Sequence, residues 1–183
     1  MKVIKRMNKK ILFILLSSII IFAGIGIHET CKPKLLENNF TQQENDFLLK
    51  DIDVLIGLED TINLYIDTIE SPYTYLYFNN YPGNYDKMLS NINRVVYNLY
   101  SLYSNYKTTK PPKVFRRSYQ VMLDALQQYN EVGKLIEKGY LTKDFDYLKE
   151  SLTPYNKGYE LFSQRNKIRD EELAIISKKR RRK

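Results

Sequence analysis

The sequence predicts an all-α protein: an N-terminal transmembrane or signal helix, then an antiparallel bundle of about four helices. Three observations predict it. Residues 11–27 form an apolar run without a charge. Beyond them, apolar residues recur at steps of three and four, which places them on one face of a helix. No run of alternating β-branched residues is long enough for a sheet, and Tyr73, Tyr75 and Tyr77 make only a short strand-like alternation. The expected order is a basic N-terminus (1–10), the apolar segment (11–27), a linker (28–40), the bundle (41–177) and a basic tail (178–183).

The run ILFILLSSIIIFAGIGI has 17 residues. As a helix it would measure about 25 Å at 1.5 Å per residue. A spanning helix takes about 17–25 residues, whereas the apolar core of a signal peptide takes about 7–15. Three fates compete: a retained anchor, a cleaved signal peptide and a lipid on Cys31. No A-x-A follows the run, and His28, Glu29 and Thr30 make a poor lipid-attachment box before Cys31. Length therefore favours a retained anchor. Lys2, Lys5, Arg6, Lys9 and Lys10 precede it. Basic flanks stay inside, so the N-terminus is expected in the cytoplasm and the body outside it. The expected location is a single-pass cell-membrane protein, with a secreted or lipid-anchored protein as the alternative. A lone cysteine cannot build an internal disulfide framework. Cys31 is left for lipidation, an intermolecular disulfide or a free thiol.

The first long helix is expected over 41–70, with Leu48, Ile52, Leu55, Leu58, Ile62, Tyr65 and Ile69 on its inner face. Ser71-Pro72 can open a new helical turn, serine as the cap and proline at the first position. Pro82-Gly83 suits the centre of a type II turn. A second helix is expected from about 85 to 107, on the stripe Met88, Ile92, Val95, Val96, Leu99, Leu102, Tyr103 and Tyr106. Pro111-Pro112 can start a third, since proline's missing N–H is not needed in the first turn. Its stripe is Val114, Ser118, Val121, Ala125, Tyr129, Val132 and Ile136, with Gly139 as the stop. Thr142 or Asp144 can cap a fourth, whose stripe runs from Phe145 through Leu148, Leu152, Tyr155, Tyr159, Phe162, Asn166, Arg169 and Leu173 to Ile176. Pro154 predicts a kink or a break in it.

The net charge of +8 resembles a nucleic-acid signal, but much of it sits at the chain ends. Without the eleven basic residues there, 18 basic face 21 acidic residues, so the body is mildly acidic. The tail Lys178, Lys179, Arg180, Arg181, Arg182 and Lys183 needs its own explanation. An even number of antiparallel helices returns it to the end where the bundle starts, beside the expected membrane. The tail is thus read as a contact to an anionic lipid or a cell-wall polyanion, at about 1 kcal/mol per basic residue.

The sequence carries no phosphate-cradling glycine loop, no GxSxG and no HExxH. His28 and Cys31 are two potential ligands, too few for a metal site. Neither a catalytic residue nor a metal nor a cofactor is expected. Tyrosine is the compositional oddity: 16 occur, six of them within residues 65–85. Tyrosine is enriched where proteins recognise partners. Tyr73, Tyr75, Tyr77, Phe78 and Tyr81 form the candidate partner-binding patch.

Pro111, Pro112, Phe115, Gly133 and Gly158 lie in a stretch, residues 111–166, that resembles uncharacterised membrane-anchored or lipoprotein-like helical proteins of Gram-positive bacteria. The resemblance implies an envelope location and a helical fold. It implies no activity. The expected function is a non-enzymatic, membrane-tethered cell-envelope protein that binds a protein or a surface component. An immunity or phage-exclusion membrane protein is one alternative, and nucleic-acid binding through the basic tail is another.

Overall fold

A computed structural model describes residues 40–180, with side chains through Lys178. The chain divides into two units, residues 1–38 and 39–183. The first lies outside the described residues.

Four long helices run up, down, up and down. They are α1 (Gln42–Ile69), α3 (Asp86–Lys107), α4 (Arg116–Thr142) and α6 (Leu152–Arg180). Two short helices, α2 (Pro72–Phe78) and α5 (Asp146–Glu150), close the end where α1 finishes. A 3-10 turn, Lys113–Phe115, leads into α4 at the other end. α1 packs on α3, α3 on α4, and α4 on α6.

α1 starts with a capping box. The Thr41 hydroxyl accepts from the Glu44 N–H, and the Glu44 carboxylate accepts from the Thr41 N–H at 2.7 Å. Ser71 caps α2 with Pro72 at its first position, as expected. The Tyr73/Tyr75/Tyr77 alternation therefore lies on a helix, not on a strand.

Three local expectations are corrected. Gly139 does not stop α4, which runs to Thr142 and ends on left-handed Lys143 at φ 53°. Gly139 is there for space, because a Cβ on it would stand 2.4 Å from Leu148 Cδ1. No described glycine has a positive φ, so Pro82-Gly83 is not a type II turn. Asn80 takes the left-handed conformation instead, at φ 56°. The expected break into two helices is present, but not at Pro154: it falls earlier, at Ser151, and Pro154 lies in the first turn of α6, where no N–H is required.

The inner faces largely match those expected, with α1 turned slightly. α1 buries the expected Leu48, Leu58 and Ile62, and it buries Phe47, Asp51, Val54 and Thr61 rather than Ile52 and Leu55. α4 buries Met122 and Leu126 beside the expected Ala125, Tyr129, Val132 and Ile136. At the end where α1 begins, Phe47, Leu48, Phe115 and Ile176 form one apolar cluster, flanked by Val114, Tyr119 and Leu173. The start of α1 and the last turns of α6 thus meet.

The expectation of a membrane-tethered, single-pass protein is corrected. Among the described residues, no helix is long and apolar enough to cross a membrane. The long helices interrupt their apolar stripe with charge: α1 alone carries Glu44, Asp46, Lys50, Asp51, Asp53, Glu59, Asp60 and Asp67. Each such charge is costly in hydrocarbon. The segment 11–27, with His28 and Cys31 after it, lies outside the described residues. Of the tail read as a contact to an anionic lipid or cell-wall polyanion, the side chains beyond Lys178 lie outside the described residues.

Ile92→Ala is expected to cost about 2–5 kcal/mol, because it empties a fully buried site between helices. Leu141→Ala, on an exposed side chain, should stay within about 0.5 kcal/mol. Urea denaturation of both variants checks the contrast.

Candidate functional site

Two groupings of polar and aromatic side chains stand out. One is closed and the other faces water.

The closed one crosses the bundle. Asp51 of α1 is buried and ion-paired to both Arg165 and Arg169 of α6. Arg169 Nη2 donates to Asp51 Oδ2 at 3.0 Å, and Tyr106 Oη of α3 donates to Asp51 Oδ1 at 2.5 Å. The Arg169 guanidinium lies over two rings, 4.4 Å from the Phe115 centroid and 5.1 Å from that of Phe47. One turn further along α6, Glu172 reaches the start of α4. It accepts from the Ser118 N–H at 3.2 Å and from the Ser118 hydroxyl at 2.5 Å. α4 has no cap of its own. Glu172 supplies one from another helix, satisfying an N–H that its own helix leaves unpaired and placing a negative charge at the dipole's positive end.

Two carboxylates and two guanidiniums make this group neutral. Burial, with Arg169 beside it, pushes the Arg165 guanidinium down to about 9. Burial also lowers Arg169, offset by Tyr106 and Glu172. Both stay charged at neutral pH. Arg165 Nε, Arg169 Nε and Arg169 Nη1 find no hydrogen-bond acceptor. The arrangement fastens helices and offers no opening to a substrate. A nearby cavity lined by Thr61, Tyr65, Val95, Tyr129 and Tyr155 holds about 10 Å³, room for at most one water.

The open grouping is the α2 end, and the structure splits the expected patch in two. Tyr77 and Phe78 turn inward. Tyr77 Oη donates to the Tyr140 carbonyl at 2.8 Å, and its ring stacks on Tyr140 at 5.8 Å. Phe78 meets Tyr140 at 5.0 Å and Phe145 at 5.4 Å, edge to face. Thr74 ties α2 down further, donating to the Thr68 carbonyl at 2.8 Å. Lys143 closes the rim, its ammonium 4.8 Å from the Tyr77 centroid and 3.2 Å from Asn80 Oδ1. Tyr73, Tyr75 and Tyr81 turn outward and are 55%, 42% and 53% exposed. At the opposite end Lys178 is exposed, and the side chains of residues 179–183 lie outside the described residues.

The buried ionic group was missed from sequence. Arg169 sat on the expected apolar stripe of the fourth helix, and a charge on such a stripe was the available signal. Among the described residues, no group of three or more His, Cys, Asp or Glu side chains could hold a metal ion.

Asp51→Ala should destabilise by about 3–5 kcal/mol, since it strands two buried guanidiniums. Tyr106→Phe, which removes one hydrogen bond to a carboxylate, should cost about 1.5–3 kcal/mol. Burial raises the hydroxyls of Tyr65, Tyr106, Tyr129, Tyr140 and Tyr155, that of Tyr65 to about 12. A raised folded-state value means stability that is complete below about pH 10 and lost as the pH climbs through the folded values. Arg165, from about pH 9 upward, and Arg169 act in the opposite sense, two groups against these five. Tyrosinate absorbance and helical circular dichroism, titrated together, should show these tyrosines ionising as the helices unfold.

No family model matches the sequence, and neither a curated protein nor a solved structure matches it.

Proposed function

We propose that this chain is a non-catalytic helical binding module that engages a partner protein through its α2 end. One observation carries the reading: Tyr73 and Tyr75, on a helix clamped from behind through Tyr77, Phe78 and Tyr140, and Tyr81, in the turn after it, are held out to solvent. A tyrosine offers a large apolar face, a hydroxyl and few rotatable bonds. Held on a packed base, it loses little further freedom on binding. Exposed aromatic anchors of this kind dominate the energetics of protein interfaces.

The two halves of the patch predict different phenotypes. Tyr73→Ser, Tyr75→Ser and Tyr81→Ser combined should leave helicity and melting temperature unchanged, while weakening a purified partner's affinity at least tenfold. Tyr77→Phe should lower stability by about 0.5–1.5 kcal/mol and leave affinity nearly intact. Retained affinity in the folded triple variant, read by titration calorimetry, would remove the α2 end as the binding surface.

A further inference from the structure

The charge of the folded body is segregated. Residues 41–70, essentially α1, hold eight carboxylates and one lysine. Residues 87–123, covering α3 after its first residue Asp86, the 3-10 turn and the start of α4, hold seven basic residues and no carboxylate. All seven are exposed, and Arg117 alone among them is ion-paired, to Glu171 at 3.6 Å.

The fold gathers this segment onto one surface. Leu102 of α3 meets α1 at Gly57, whereas Val96 and Leu99 meet α4 at Gly133. Tyr100, one turn beyond Val96, therefore lies toward α4, and Lys107 lies on the same side two turns further on. Tyr97 points straight out and is 68% exposed, and Tyr100 is 58% exposed. Tyr119 Oη donates to the Tyr106 and Lys107 carbonyls at 3.2 Å each, pinning the end of α3 to the start of α4. That contact draws Lys107, Lys110, Lys113 and Arg116 to one edge of the tyrosine strip. From Tyr97 to Lys107 the strip runs about 15 Å along the helix.

We infer that this α3–α4 surface binds a single-stranded nucleic acid. The lysines and arginines follow the phosphates, and Tyr97 and Tyr100 stack on unpaired bases. Charge complementarity selects a polyanion, because the segment 87–123 lacks any carboxylate of its own over 37 consecutive residues. The exposed rings select a polyanion that shows π-faces, which a single strand does and a duplex hides. This surface lies on the body, separate from both the basic tail and the α2 end.

The test is fluorescence anisotropy of the full chain with labelled oligo-uridylate, oligo-thymidylate and a duplex of equal length. Either single strand should bind more tightly than the duplex. Tyr97→Ala with Tyr100→Ala should weaken single-strand binding at least tenfold, with circular dichroism unchanged. Lys107→Glu with Lys110→Glu should lower the slope of log affinity against log salt by about 0.7 per lysine. Removing residues 178–183 should leave the effect of the tyrosine pair in place. Equal affinity for duplex, full affinity in the tyrosine variant, binding lost only with the tail, or preference for a poly-glutamate peptide would each overturn the inference.

Discussion

The bundle depends on how Asp51 is shared. One carboxylate on α1 holds two guanidiniums from α6 and a phenol from α3. α1 makes its broad backbone contact with α3, not with α6. Long polar side chains therefore help close the ring of helices where backbones do not come close. Two buried arginines next to each other would repel. They are tolerated because Asp51 and Glu172 balance them and because Phe47 and Phe115 present ring faces to one of them. A buried ionic group of this kind specifies register more than it adds stability: shifting α6 by one turn would leave Asp51 only one of its two arginines and take Glu172 away from Ser118.

Glu172 extends the same logic to helix ends. The start of α4 follows a 3-10 turn and lacks its own cap. A carboxylate arriving from α6 completes that turn, so the beginning of α4 and the end of α6 stabilise each other. The apolar cluster of Phe47, Phe115 and Ile176 surrounds this region. The other end is held differently, by aromatic rings on Tyr140. With both ends fastened internally, the surfaces proposed for recognition are ones that remain exposed: the outward tyrosines at the α2 end and the basic, tyrosine-bearing side of α3 and α4.

The misreadings share a cause. Helical periodicity marked inner faces by apolar residues alone, so α1 was read through Ile52 and Leu55, and Asp51 and Thr61 were overlooked. Gly139 and Gly83 were read as conformational signals, but each makes room for a neighbouring side chain. The charge was summed over the body as a mild negative, which concealed an acidic α1 and a stretch, residues 87–123, without a carboxylate. The membrane reading rested on an apolar segment outside the described residues, and the described helices carry too much charge to support it.

By itself the sequence determined the helical class, the approximate spans of the long helices and the Ser71-Pro72 start of α2. Those features rest on residues within a few positions of one another, where spacing and capping chemistry act. Only the tertiary structure decided which polar groups are buried, which tyrosines face water and where the charges gather. Asp51 and Arg169 lie 118 residues apart. A charge enters a core only when its partner is already there, and no local pattern records a partner at that distance.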